Sequence, residues 1–150
     1  MKIICTFEPE KSIQEKFKKT RKKTIMLEPI VIQATNDTPS VELNKEHGVF
    51  KFEGKSLPED VIKFFGPIQN WFNDYCNDPN PKTEIVFNLD YFNSSSARII
   101  VKILIALESI HASKSQVHIS WYYSENDEVM HDRGMELKSV LNLPFDMVEK

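Results

Sequence analysis

TEIVFNLDYFNSSSARIIVKILIALESIH, residues 83–111, joins two different periodicities across a polar turn. In its first part Ile85, Phe87 and Leu89 alternate onto one face, the pattern of a strand with one side against a core. Asn93-Ser94-Ser95-Ser96 interrupts the alternation. From Ala97 to His111 the chain is strongly apolar, with Arg98, Lys102 and Ser109 forming a narrow polar stripe. That predicts a helix which is nearly surrounded, or which shows an apolar surface to a partner.

The flanking segments repeat the strand and helix alternation. Gln116–Tyr123 (QVHISWYY) reads as a further strand. Ser124 to Asp127 is turn and cap chemistry before a weaker amphipathic helix over Glu128–Leu141, its apolar side drawn from Val129, Met130, Leu137, Val140 and Leu141. A short last strand is expected at 145–148. Upstream, Ser56-Leu57-Pro58-Glu59 has capping-box spacing, with Ser56 as the cap. The helix it predicts places Val61, Phe65, Ile68, Phe72 and Tyr75 on one face and ends by Asn77-Asp78-Pro79. Gly66-Pro67 in its middle is expected to kink or break it, because proline removes a backbone donor. Pro29–Ala34 reads as a strand, and 40–43 with 49–53 as a hairpin across the turn at Asn44–Gly48. Alternating strands and helices after a hairpin imply a mixed sheet with helices packed against it.

The chain has 150 residues, enough for one domain with a sizeable core. Its net charge of −3 is unevenly spread. Residues 1–25 hold eight Lys/Arg and three Asp/Glu, giving +5; residues 26–150 hold eleven and nineteen, giving −8. Three readings stay open for 1–25: a disordered basic arm, a contact to anionic lipid, nucleic acid or an acidic partner, or a segment upstream of a true start at Met26. Residues 26–150 read as a single domain. Its acidic balance disfavours nucleic acid as a partner, because phosphates repel it. No apolar run approaches the ~20 residues of a membrane span, so membrane insertion is not expected and the chain reads as cytoplasmic.

Several chemistries are excluded by pattern. Four well-separated glycines leave no phosphate-cradling loop and no dinucleotide turn. Cys5 and Cys76 form no C-x-x-C pair, and His47, His111, His118 and His131 lack metal-ligand spacing. G-x-S-x-G is absent, so Ser94 is no nucleophile elbow. Glu125, Asp127, Glu128 and Asp132 lack the order of a calcium loop and read as a solvated face. Catalytic residues, cofactors and metals are therefore not expected.

The serine turn has two readings. Serine at a helix start accepts a hydrogen bond from a backbone N–H, and plain capping accounts for one such residue. The other reading is phosphorylation, which adds ~−1.5 to −2 charges at the positive end of the helix dipole. Arg98, one turn on, is placed to pair with a phosphoryl group.

SLPEDVIKFFGPIQNWFNDY (56–75), LDYFNSSSARII (89–100) and VHISWYYSENDEVMHDRGMELKSVLNLPF (117–145), together with TPSVEL (38–43), resemble the SiaC family of bacterial regulatory phosphoproteins. The resemblance spans roughly 26–150. It implies a STAS-like α/β fold, of the anti-sigma-factor-antagonist type, with a mixed sheet and helices packed mainly on one face. It implies a non-catalytic partner switch in the service of cyclic-di-GMP signalling and biofilm growth. On that pattern the dephosphorylated form binds and activates a GGDEF-type diguanylate cyclase. A cognate Ser/Thr kinase modifies the YFN-[ST]-S-S turn, and a PP2C-like phosphatase reverses the modification. The matching position is Ser94, where the family's best-known members carry threonine, with Ser95 and Ser96 as helix-cap neighbours. Asn93, Ser94, Ser95, Arg98 and Lys102 are then the expected partner-binding residues. The alternative is a constitutive adaptor that acts through the basic arm at 1–25.

Overall fold

The computed structural model describes residues 26–150; the arm expected at 1–25 lies outside them. Strands β1 (Ile30–Ile32), β2 (Ser40–Asn44) and β3 (Val49–Ser56) run antiparallel in succession. Helix α1 (Val61–Asn77) leads to β4 (Lys82–Phe92), α2 (Ser94–Ile110) to β5 (Gln116–Tyr123), and α3 (Glu128–Val140) to β6 (Phe145–Glu149). Each of these helices is a crossover between parallel strands. The result, among the described residues, is one mixed six-stranded sheet in the order β1-β2-β3-β4-β5-β6, with three helices.

Burial alternates along every central strand. Phe50 and Phe52 on β3, Thr83, Ile85, Phe87 and Leu89 on β4, and Val117, Ile119 and Trp121 on β5 are buried, and the residues between them are not. All three helices therefore cover the same face. One row of side chains crosses all six strands in register: Ile32, Val41, Phe52, Phe87, Trp121 and Met147. Phe52 and Phe87 stack with centroids 5.2 Å apart, and Phe87 lies 5.7 Å from Trp121. Each fully buried side chain of the row contributes roughly 1.5–3 kcal/mol by leaving water. The opposite face is polar. His118 pairs with Asp146 at 2.9 Å and Lys51 with Glu53 at 2.6 Å. The hydrogen bond from Lys51 holds the Glu53 carboxyl below its ordinary range.

Three local expectations are corrected. Ser56 does not cap α1: it is the last residue of β3 and is buried. Asp60 caps instead, its Oδ1 accepting from the Lys63 N–H at 3.0 Å. Pro67 does not break α1, which runs through it. Pro67 and Lys63 are both exposed, so the carbonyl that loses its donor faces water, while Ile68, Trp71, Phe72 and Tyr75 anchor the next turns. On α3, Val129 and Val140 are exposed rather than inward. The inward row is Met130, Gly134, Leu137 and the C-cap Leu141.

Gly134 explains that shift. A Cβ there would lie 2.5 Å from Trp121 Cδ1, so only glycine lets α3 settle onto the indole. Trp121 Nε1 donates to the Met130 carbonyl at 2.9 Å and fixes the same contact. Gly134→Ala is expected to cost about 1–3 kcal/mol by overpacking. Gly66→Ala, where a Cβ meets nothing within 4 Å, should be neutral or slightly stabilising through helix propensity. Urea unfolding followed by tryptophan fluorescence measures both. Equal effects would show that α3 does not depend on this close approach.

Candidate functional site

The serine turn sits where β4 ends and α2 begins, at the carboxyl end of the parallel strands. A bulge sets its geometry. Leu89 stands opposite Gly54 and Tyr91 opposite Lys55, so Asp90 is an extra residue on β4. Gly54 takes φ +105° there, a backbone conformation that side chains resist. The extra residue turns the alternation by one step. Leu89 is buried, Asp90 and Tyr91 are exposed, and Phe92 is buried again, edge-on to Trp121 at 5.9 Å. The inward turn of Phe92 brings Asn93 to the helix start.

Asn93 is the N-cap of α2. Its Oδ1 accepts from the Ser96 N–H at 2.9 Å, and its carbonyl accepts from the Ala97 N–H at 2.9 Å. Capping is therefore done by asparagine, not by the serines, and α2 begins at Ser94, three residues before the apolar run. The sequence pattern did not single out Asn93 as the cap because any of four residues in Asn93–Ser96 has the right chemistry.

The three serines differ sharply. Ser96 is 0% exposed. Its Oγ accepts from Ser56 Oγ at 2.8 Å and donates to the Ser56 carbonyl at 3.0 Å. The same carbonyl accepts from the Asn93 N–H at 3.0 Å. Ser96 is thus locked against the end of β3 and out of reach of a modifying enzyme. Ser94 and Ser95 are exposed in the first turn of α2, where backbone N–H groups point out of the helix end. Arg98 and Lys102 are exposed further along the helix. Arg133, not foreseen as a site residue, reaches over from α3 and holds its guanidinium 5.7 Å from the Phe92 ring centroid.

The remaining chemical candidates are spoken for elsewhere. His111 Nδ1 accepts from the Val117 N–H, and His118 pairs on the open sheet face. Burial pushes the Cys76 thiol above its ordinary range, so it is no ready nucleophile. Asp127 caps α3 through the Met130 N–H. Among the described residues, no group of three or more His, Cys, Asp or Glu side chains is placed to hold a metal ion. No helix among them is long and apolar enough to cross a membrane.

Ser96→Ala should cost about 1–3 kcal/mol, because it leaves the buried Ser56 hydroxyl without its acceptor. Asn93→Ala should cost about 1 kcal/mol as a lost cap. Ser94→Ala and Ser95→Ala should stay within about 0.5 kcal/mol, as exposed positions do. Chemical denaturation of the four variants checks this order, and a Ser94→Ala loss as large as that of Ser96→Ala would refute the division of roles.

Comparison with known proteins bears on the family and the fold. The family described as SiaC family regulatory phosphoprotein matches residues 32–150. An uncharacterized protein of Pseudomonas aeruginosa (strain UCBPP-PA14) is 27% identical over 114 residues, covering 76% of this chain and 90% of that protein. The crystal structure of apo-SiaC from Pseudomonas aeruginosa is similar with a TM-score of 0.73 and 25% identity, over 80% of this chain and 98% of that one. A second similar structure is that of diguanylate cyclase SiaD in complex with its activator SiaC from Pseudomonas aeruginosa, with a TM-score of 0.76 and 25% identity over 81% and 99% of the two chains. With the family matched from the end of β1 to the last residue, and its fold shared across four-fifths of its length, the chain belongs to the SiaC family of regulatory phosphoproteins.

Proposed function

We propose that this chain is a STAS-like partner switch of the cytoplasm, set by phosphorylation at Ser94, whose unmodified form binds and activates a diguanylate cyclase. The observation that carries the reading is the division of labour among the serines. Ser96 is consumed by the anchor to Ser56 and Asn93 supplies the cap, so the exposed Ser94 and Ser95 hydroxyls have no part in holding the fold. The likeness to a SiaC protein seen with a diguanylate cyclase supports the choice of partner. Ser94 takes the modification because it matches the [ST] position of the family turn, and Ser95 lies beside it in the docking surface with Asn93, Arg98 and Lys102.

Physical chemistry makes the turn suited to switching. A phosphoryl group at Ser94 sits at the positive end of the α2 dipole, where the fold tolerates it. Its ~−1.5 to −2 charges and their hydration oppose burial under a partner. A weakening of ~3 kcal/mol corresponds to a roughly hundredfold loss of affinity, enough to separate bound from free at cellular concentrations. A Ser/Thr kinase and a PP2C-like phosphatase complete the cycle. On this reading the chain acts by binding and not by catalysis.

The test is a tagged recovery from native cells of wild type, Ser94→Ala and Ser94→Asp, with phosphopeptide mapping of the wild-type sample. Phosphate at Ser94 is expected, with a diguanylate cyclase recovered by the Ala form and roughly hundredfold less by the Asp form. Equal recovery by all three, without modification at Ser94, would overturn the switch. The charge contrast between residues 1–25 and 26–150 supports a second reading, a constitutive adaptor acting through its basic arm. Deletion of 1–25 separates the two. The switch predicts little loss of binding; the adaptor predicts that most of it disappears, with strong salt dependence.

A further inference from the structure

We propose that β6 is the contact edge of a two-fold dimer, in which the β6 strands of two copies pair antiparallel about Met147 and the α3 helices above them pack side by side. The dimer needs nothing from the function proposed above and leaves the serine turn free.

The ladder leaves this edge open. The Ile119 N–H bonds the Pro144 carbonyl, and the Tyr123 carbonyl accepts from the Lys150 N–H, each at 2.9 Å. Even-numbered residues of β6 therefore turn their backbone groups toward β5. The N–H and C=O of Phe145, Met147 and Glu149 point away from the sheet. The other edge strand, β1, has three residues against five in β6. A regular open edge is a template for one more strand.

The sequence of β6 is complementary to itself. Antiparallel pairing centred on Met147 sets Phe145 of one copy opposite Glu149 of the other, and Asp146 opposite Val148. All three outward residues then fall in hydrogen-bonded pairs, each pair exchanging both of its backbone bonds. No like charges meet across the junction. Asp146 stays with His118 at 2.9 Å and Lys150 with Asp90 at 3.4 Å, within each copy.

Helix α3 selects a second copy as the occupant. Its Arg133, Leu137 and Val140 side lines the cleft against α2. The opposite side, Glu128, His131, Met135 and Lys138 at helical spacing, therefore overhangs β6. Met135 is 44% exposed there. Neither Glu128 nor Lys138 forms an ion pair among the described residues. A Cβ on Gly134 would lie 2.7 Å from Met147 Cε, so α3 crosses the middle of the strand at Gly134. A two-fold axis through Met147, normal to the sheet, brings Met135 beside Met135 of the other copy. Glu128 lies about 9 Å to one side of that level and Lys138 about 6 Å to the other, at ~1.5 Å per residue. The axis reverses this order, so Glu128 of each copy meets Lys138 of the other. One surface thus supplies both halves of every contact, as a two-fold interface requires. The same axis sends the two serine turns to opposite ends of the joined sheet.

The full chain at tens of micromolar is examined by sedimentation equilibrium and by hydrogen–deuterium exchange. A dimer is expected, with the Met147 and Glu149 amides protected in proportion to the dimer fraction. Lys138→Glu, a surface change, should raise the dissociation constant roughly tenfold by setting a second carboxylate against Glu128. The double variant Glu128→Lys/Lys138→Glu restores opposite charges and should return the constant to within about threefold of wild type. A monomer at this concentration overturns the inference, as does a dimer whose Met147 and Glu149 amides exchange as freely as they do on dilution. A dimer unchanged by Lys138→Glu, a double variant that does not recover, or a dimer lost only when residues 1–25 are deleted overturns it too.

Discussion

A single carbonyl holds the business end of this molecule together. The Ser56 C=O, at the end of β3, accepts from the Asn93 N–H and from Ser96 Oγ, and the Ser56 hydroxyl closes the set by donating to Ser96 Oγ. Ser56 and Ser96 are shut away from water, so each bond between them is worth more to keep than its net contribution implies, because losing one strands a buried partner. The consequence is a helix start whose position is set by the neighbouring strand rather than by its own sequence. Ser94 and Ser95 are left outside that knot, on a rigid platform but with no share in its stability. The modification proposed for Ser94 requires such a placement, or each modification would also be a partial unfolding.

The bulge opposite Gly54 makes the knot reachable. Were Asp90 paired regularly instead of bulged out, strict alternation from Leu89 would turn Tyr91 inward and Phe92 outward. Phe92 would then leave Trp121, and Arg133 would lose the ring it covers. The aromatic row beneath the helices and the polar turn above them are therefore coupled through one backbone irregularity.

Much of the architecture was legible from periodicity. The strand over 116–123 matches its expected bounds, and the hairpin, the central strand and the apolar helix after the serine turn lie where alternation and helical spacing place them. What was hidden depends on contacts distant in sequence. Ser56 mimics a capping box with Glu59, but its real partner is Ser96, 40 residues on. The inward face of α3 was misread because its central residue is Gly134, which carries no side chain for a hydrophobic pattern to register. Arg133 carries no distinguishing signal in the sequence, and only the fold sets it over Phe92. At the turn itself, composition pointed to a serine cluster but could not rank three identical residues. Burial separates Ser96 from the other two; choosing Ser94 over Ser95 rests on the family pattern.

The sheet order β1 to β6 follows the order of the chain. A polypeptide emerging from the ribosome can therefore lay each strand against an edge already formed, with no strand inserted between two earlier ones. Everything that positions the serine turn, from Ser56 to the first turns of α2, is in hand once α2 has been made. The floor beneath it is not, because Phe92 is covered only when Trp121 and then α3 arrive. The end that carries the serine turn is thus assembled in two stages, and a chain truncated after α2 would present Ser94 and Ser95 on an unfinished surface.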